Sequence, residues 1–210
     1  MIKPIIDVSK HNGKIEWDQV KPQIEGAILR IGYRGYNKTG SLHIDPTFLE
    51  NDKMCEAYSI PREFYFFPTD ITEHECVETS IWILNLLKKY GYMPITLWLD
   101  SEFSNDARTG RCDTLTKDTR TQMLLSVRQK IHAICPDWKI GIYASQSWFY
   151  NHLNLGILYQ KKVPLWVARW GDTEPDIIYN MWQYSNKGEI AGINGRVDLS
   201  TRRYPDYIAL

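Results

Sequence analysis

The sequence lacks an excess of charge of either sign and lacks any long hydrophobic run. Its 210 residues include 25 Lys plus Arg and 25 Asp plus Glu, so the formal net charge is zero. A neutral chain does not draw nucleic acid or anionic lipid by long-range attraction, so nucleic acid is not an expected partner. No stretch approaches the ~18 apolar residues of a membrane span, and we expect no membrane partner either.

Cysteine and histidine are also scarce. The four cysteines include no C-x-x-C pair, and the five histidines include no pair at a metal-binding spacing such as H-E-x-x-H. We therefore expect no metal site and no cofactor. The cysteines are expected to be free and largely buried, although three disulfide pairings are open to Cys55, Cys76, Cys112 and Cys135.

The amino-terminal residues do not resemble a signal peptide. The apolar run at 1–7 is short and contains Pro4, so we expect a protein made in the cytoplasm without a leader. No linker, low-complexity tract or internal repeat divides residues 1–210, which predicts a single domain.

Short apolar runs alternate with amphipathic segments along the chain. This alternation predicts parallel βα units in an α/β barrel, with regular early units and few helices in the C-terminal part. The predicted strands are 4–8, 26–32, 63–67, 95–100, 139–144, 164–168, 181–185 and 196–199.

Three clear helices are predicted between these strands. An Asp-Pro pair at 45–46 opens the first, which extends to about Tyr58. A Thr72-x-x-Glu75 capping box opens the second, and the third stops before Pro136. The predicted apolar faces are Val77, Ile81, Leu84 and Leu87 on the second helix, and Met123, Leu124, Val127, Ile131 and Ile134 on the third.

Acidic residues recur where the predicted strands end, which is where functional residues cluster in a parallel barrel. Asp7 ends the first strand, Asp100 and Glu102 end another, and the last strand is expected to end near Asp198. Asp7 alone could cap a helix, but residues 103–116 after the D-x-E pair are polar and loop-like. Neighbouring carboxylates raise one pKa and leave an acid beside an ionised partner, as glycoside hydrolysis requires, although such a pair could equally bind a divalent metal.

Aromatic residues make up 13% of the chain and gather near the same strand ends. Rings of this kind either fill a core or provide platforms on which sugars stack, and alternation allows only half of those on a strand to face the barrel interior. As a group with the acids they suit a groove for sugars. The candidates are Tyr65, Tyr143, Trp166 and the Trp182-Gln183-Tyr184 run.

The order of these motifs closely resembles glycoside hydrolase family 25, the lysozymes of phage endolysins and bacterial autolysins, also called muramidases. The similarity spans about residues 5 to 200. The matching stretches are DVSKHNG at 7–13 with IEW at 15–17, ILRIGY at 28–33, IDPTF at 44–48 with Asn51, LDSE at 99–102, GIY at 141–143, LWVA at 165–168, MWQY at 181–184 and GRVD at 195–198.

The resemblance implies an irregular (β/α) TIM-like barrel with eight strands and with helices missing in the C-terminal part. It also implies hydrolysis of the β-1,4 bond between N-acetylmuramic acid and N-acetylglucosamine in peptidoglycan. Glu102 would be the general acid, with Asp7, Asp100 and Asp198 as acidic companions. The expected substrate contacts are Tyr65, Tyr143, Trp166, Trp182, Gln183, Arg30 and Tyr33.

Other expectations follow from this reading. The chain would be one catalytic domain without a wall-binding domain, a monomer whose partner is the peptidoglycan glycan strand, acting on the bacterial cell wall after endolysin-like release or secretion. Asp7 and Asp198 should be neighbours if the first and last strands close the barrel. A non-catalytic glycan-binding barrel and a metal-dependent hydrolase are the competing hypotheses. For the nucleophile, the shared strand face of Asp100 and Glu102 favours substrate assistance, with Asp7 or Asp198 left open.

Overall fold

A computed structural model describes residues 3–89 and 95–203. Its strands are β1 (Ile5–Val8), β2 (Gly26–Arg34), β3 (Leu42–Ile44), β4 (Arg62–Phe67), β5 (Thr96–Asp100), β6 (Lys139–Ser145), β7 (Leu165–Ala168), β8 (Met181–Gly188) and β9 (Val197–Arg202). Its α-helices are α1 (Trp17–Val20), α2 (Phe48–Ala57), α3 (Glu73–Lys89), α4 (Lys117–Ile134), α5 (Gln146–Asn151) and α6 (Leu155–Gln160).

Eight of the strands close into a barrel, which confirms the predicted fold class. The order around the barrel is β1, β2, β4, β5, β6, β7, β8 and β9, and β9 pairs back onto β1. The short strand β3 was not predicted; it adds to the outer edge of β2 in the antiparallel direction. Asp7 pairs with Asp198 across β1 and β9, as barrel closure by the first and last strands predicted.

The direction of the last strand differs from the prediction. Asp198 is the second residue of β9 rather than a residue near its end, and β9 runs antiparallel to both β8 and β1. No helix separates β8 from β9, and a short connection between neighbouring strands produces an antiparallel pair. The start of β9 therefore lies beside the carboxyl ends of the parallel strands, so Asp198 still reaches the same mouth.

The helices are distributed as expected. The long helices α3 and α4 follow β4 and β5, only the short helices α5 and α6 separate β6 from β7, and no helix separates β7, β8 and β9. The first of the three predicted helices, α2, begins later than predicted, at Phe48. Asp45 is buried, and its carboxylate accepts from the backbone N–H and the hydroxyl of Thr47 in a turn that precedes the helix.

Two predicted helix faces need correction. On α3, Val77 and Ile81 are exposed, Ile81 at 51%, and the buried residues include Cys76 and Ser80 instead. Ser80 satisfies its hydroxyl by donating to backbone oxygens of α3 and α4, so a polar residue occupies the helix contact. On α4, Ile134 is exposed because it is the last residue of the helix.

Large side chains fill the barrel beneath its mouth. Ile5, Ile28, Trp98, Trp166 and Met181 form one buried cluster inside the strands. A larger cluster fills the space between the strands and the surrounding helices. All four cysteines are free and buried, as expected. Within the described ranges, no helix combines the length and apolar character of a membrane span.

Candidate active site

Four carboxyl groups meet at one mouth of the barrel. Asp7 on β1 lies opposite Asp198 on β9, Asp100 is the last residue of β5, and Glu102 follows two positions later. All four line one cavity of about 370 Å³, which we call the acid cavity. The fold thus brings together the four acids selected from the sequence, although they come from both ends and the middle of the chain.

A second cavity of about 730 Å³, which we call the aromatic cavity, adjoins the first. Glu102 and Phe103 line both cavities, and Tyr143, Trp148 and Trp170 line only the aromatic cavity. The two cavities form a groove across the barrel mouth. Glu102 stands at their junction, where a bond of an extended substrate would be within its reach.

The polar segment at 103–116 is a loop without helix, as predicted, and it forms one wall of this groove. The Phe103 ring packs edge-on against Trp148 with centroids 4.5 Å apart. The Asp113 carboxylate accepts from the backbone N–H groups of Ser104 at 3.0 Å and Gly110 at 2.8 Å. These contacts hold the loop beside Glu102.

Burial raises the pKa of all four acids, and the charge of neighbouring carboxyls adds to the shift at three of them. Burial raises the pKa of Glu102 to about 7, helped by the charge of Asp198 and opposed by Arg30. Glu102 is also exposed to the groove, so water screens its charge in part. Burial raises the pKa of Asp198 to about 6. Burial, then neighbouring carboxyls, raise the pKa of Asp7 and Asp100 well above the usual range.

Arg30 supplies positive charge to the acid cavity, and a buried anchor holds it there. Its Nε donates to Asp45 at 2.6 Å, and Asp45 also accepts from the backbone N–H of Lys10. Within the described part of the chain, Arg30 Nη2 and Asp100 Oδ1 are buried without a hydrogen-bond partner. The cavity therefore holds one donor and one acceptor that are ready for a ligand.

Gln183 joins the acids to the rings of the aromatic cavity. It is only 1% exposed. Its Nε2 donates to Asp7 at 3.1 Å and to Asp198 at 3.4 Å. Its Oε1 accepts from the Tyr143 hydroxyl and from Trp170 Nε1, both at 3.0 Å. Gln183 was expected to contact substrate, but its polar atoms already bond to protein groups.

The other expected substrate contacts divide into two groups. Tyr65 and Arg30 line the acid cavity, and Tyr143 lines the aromatic cavity. Trp166 is buried inside the barrel, where its indole donates to Ser200. Its position below Tyr143, with ring centroids 4.4 Å apart, supports the groove from beneath rather than lining it.

Trp182 and Tyr33 are likewise not among the residues that line the two cavities. Trp182 packs against the outer core and donates to the backbone oxygen of Arg169 at 2.7 Å, because its neighbour Gln183 takes the inward position on β8. Tyr33 stacks on His43 of β3, with ring centroids 5.1 Å apart.

Trp170 is a groove residue that the sequence reasoning missed. It is 57% exposed, and it lines the aromatic cavity two positions after the end of β7. Glu102 has the same position relative to β5, so the rule that selected Glu102 would have found Trp170 had it been applied to every strand. In the acid cavity, Tyr36 likewise stands two positions after the end of β2, whereas Arg196 directly precedes β9.

Within residues 3–89 and 95–203, no group of three or more His, Cys, Asp or Glu side chains is placed to hold a metal ion. An α/β barrel with acids and exposed rings at the carboxyl ends of its strands has the architecture of an enzyme that acts on carbohydrate. The chain belongs to glycosyl hydrolases family 25, whose model matches residues 6–193.

Individual relatives share this fold and part of the sequence. YegX of Escherichia coli K12, described as uncharacterized, is 26% identical over 200 residues, 93% of this chain and 67% of YegX. The autolysin LytC of Streptococcus pneumoniae, determined with a synthetic peptidoglycan ligand, has a TM-score of 0.77 and 26% identity over 94% of this chain. The CTP1L endolysin has a TM-score of 0.74 and 25% identity over 97% of this chain and 67% of its own. This chain spans 46% of LytC.

Proposed function

We propose that the protein is a muramidase that cleaves the β-1,4 bond between N-acetylmuramic acid and N-acetylglucosamine in peptidoglycan. The observation that carries the proposal is Glu102, which stands where the two cavities meet and has a pKa raised to about 7. A carboxyl group with this pKa still holds a proton near neutral pH, as a general acid must. Family membership and the likeness to LytC support peptidoglycan as the substrate.

In the proposed reaction, Glu102 gives its proton to the glycosidic oxygen as the bond from that oxygen to the anomeric carbon breaks. The sugar that carries this anomeric carbon attacks it with its own 2-acetamido oxygen. Asp100 Oδ1, which has no partner in the described protein, accepts the acetamide N–H. Water then adds to the anomeric carbon and returns a proton to Glu102, which restores the acetamide and the enzyme.

The remaining groove residues are proposed to bind the glycan. Tyr65 and Arg30 would contact the sugar in the acid cavity, and Tyr143 the sugar in the aromatic cavity. Arg30 Nη2 would donate to a sugar oxygen. We further propose that residues 1–210 form one catalytic domain that works as a monomer, without a cofactor, at the bacterial cell wall.

Borohydride reduction followed by mass spectrometry tests the bond that is cleaved. Purified walls are digested with the enzyme, reduced and hydrolysed to amino sugars. A muramidase produces reduced muramic acid, because that sugar carries the new reducing end. Reduced glucosamine would assign the enzyme as a glucosaminidase, and walls that bind protein without releasing fragments would favour a glycan-binding barrel. Loss of lysis in EDTA, with recovery on adding a divalent metal, would favour the metal-dependent hydrolase.

The route of the reaction has its own test. Substrate assistance predicts that NMR detects the β anomer as the first product and that a glycan without the 2-acetamido group is not cleaved. A first product in the α configuration, or a sugar ester trapped on Asp7 or Asp198, would contradict it.

A further inference from the structure

Gln183 lies in the barrel wall at the boundary between the two cavities. We propose that Gln183 is a positioning residue, whose amide holds the Asp7–Asp198 pair in one orientation beside Glu102 and ties that pair to Tyr143 and Trp170. The proposal rests on the proposed function, because it assigns Gln183 a role in that reaction. It differs from the sequence-based expectation, in which Gln183 binds the sugar.

The amide of Gln183 has no hydrogen-bonding capacity left for a ligand. A glutamine side chain has two N–H donors and one oxygen that accepts two bonds. Asp7 and Asp198 receive the two donated bonds, and the Tyr143 hydroxyl and Trp170 indole give the two accepted ones. A sugar hydroxyl would have to displace one of these partners, and Gln183 is only 1% exposed.

Trp170 fixes the orientation of the amide. The indole N–H of Trp170 can only donate, so it needs the Gln183 oxygen as its acceptor. A rotated amide would set its NH₂ group against the Trp170 N–H. That contact would be repulsive whichever of the two carboxyls carries a proton, so the observed orientation is the one that satisfies Trp170.

The Gln183 amide places its hydrogen-bond donors beside Asp7 and Asp198, two acids that repel each other. The hydrogen bond from Gln183 lowers the pKa of Asp7 against the effects of burial and of Asp198. Asp7 and Asp198 also share a hydrogen bond with each other, which lowers the pKa of Asp198. The amide thus favours one ionised carboxylate in the pair. The other titratable or charged groups around the acid cavity are Asp100, Glu102, Arg30, Tyr36, Tyr65, His11 and Arg196, with Tyr143 adjoining through Gln183.

The same amide connects the two halves of the groove. Trp170 and Tyr143 line the aromatic cavity, whereas Asp7 and Asp198 line the acid cavity. Trp170, on the aromatic side of Glu102, donates to Gln183. Gln183 in turn donates to Asp7 and Asp198 on the other side. Gln183 sets the spacing of the substrate platform and the acid pair.

The test is Gln183→Met, which keeps the length of the side chain and removes its hydrogen bonds. A misplaced catalytic geometry typically costs about 100-fold in rate, and we expect kcat to fall by about 10- to 100-fold. Without the two donors, the acidic limb of the pH–rate profile should move to higher pH. Affinity for an uncleaved glycan, measured in a Glu102→Gln background, should stay within about twofold, because Gln183 does not touch the sugar.

Gln23→Met is the matched control. Gln23 also has a bonded amide, which joins Gln19 to Ala191, but it lies outside the groove. Its replacement should leave the pH profile unchanged. Tyr143→Phe serves if Gln183→Met fails to fold, because it removes only the hydroxyl that donates to Gln183. We expect a smaller shift of the acidic limb in the same direction.

Carbon-13 NMR titration of the aspartate carboxyls separates this proposal from the function itself, because it needs no turnover. Gln183→Met should raise the pKa of the Asp7–Asp198 pair even if the natural substrate has been misassigned. An unchanged titration, or a glycan affinity that falls in proportion to kcat, would overturn the positioning role. Absence of muramidase products from the wild-type enzyme would instead overturn the proposed function.

Discussion

The two ends of the barrel hold acidic groups in different ways. Near the amino ends of the parallel strands, Glu63 has a donor for each oxygen, Trp98 Nε1 at 2.8 Å and Arg202 Nη2 at 2.6 Å. At the opposite mouth, four acids line one cavity together with Arg30, and Asp100 Oδ1 has no partner within the described residues. A satisfied buried acid stabilises a fold, whereas a crowded and under-bonded group is prepared for proton transfer or ligand binding. Acidic residues therefore stabilise the fold at the floor of the barrel, the end that holds Glu63, and prepare the mouth for proton transfer or ligand binding.

The largest expected effect is a loss of activity when Glu102 at the mouth is replaced. Glu102→Gln keeps the shape of the side chain but removes its proton, and loss of general acid catalysis typically lowers the rate by ~10²–10⁴-fold. The measurement is the initial rate of wall lysis, with unfolding followed by circular dichroism to show that the barrel is intact. Glu50→Gln on the exposed side of α2 is the control. Lysis by Glu102→Gln at nearly the wild-type rate would show that Glu102 is not the acid.

The pH dependence of turnover sharpens the same contrast. Because the pKa of Glu102 is about 7, the fraction that carries a proton falls about tenfold per pH unit well above this value. We expect kcat/KM for a soluble glycan to decline with the same slope. Glu63→Gln at the floor should leave the position of this limb unchanged. A basic limb that moves in Glu63→Gln would mean that the two ends are electrostatically coupled.

Glu63→Gln should instead change stability. It weakens the contact with Arg202 and keeps an oxygen for Trp98, so we expect the free energy of unfolding to fall by about 1–3 kcal/mol. Urea denaturation measures the loss, and activity per folded molecule should stay at the wild-type level. An unchanged midpoint would place Glu63 among the surface ion pairs that contribute little.

The smallest effect is a dependence of stability on pH. Folding raises the pKa of Glu102 to about 7 and that of Asp198 to about 6. The folded protein therefore binds more protons than the unfolded chain, so this stabilisation is complete below about pH 4 and is lost as pH rises towards 7. Glu102→Gln should melt at a higher temperature than wild type at pH 8 and at nearly the same temperature at pH 4. Scanning calorimetry measures the melting temperatures of both proteins at the two pH values. The same difference between mutant and wild type at pH 4 and at pH 8 would contradict the prediction.

Much of the barrel could be predicted from the sequence because each buried strand is a short apolar run bounded by turn residues. The acids could be found because Asp7, Asp100 and Glu102 stand at the ends of such runs. The antiparallel direction of β9 was missed, although the lack of a helix between the last two predicted strands was a local signal for it. The inward or outward direction of Trp182 depends on the register of β8, and the sequence MWQYSNKG does not reveal it because a polar residue, Gln183, takes the inward position.

The pairing of β1 with β9 determines when the four acids come together during folding. Asp7 and Asp198 stand near opposite ends of the described chain, and only the last strand brings them together. Contacts between residues so distant in sequence form late and slowly. A chain still emerging from the ribosome, with β9 not yet made, already contains Asp7, Asp100 and Glu102 but lacks Asp198. The four acids therefore meet in one final step, when β9 pairs with both β8 and β1.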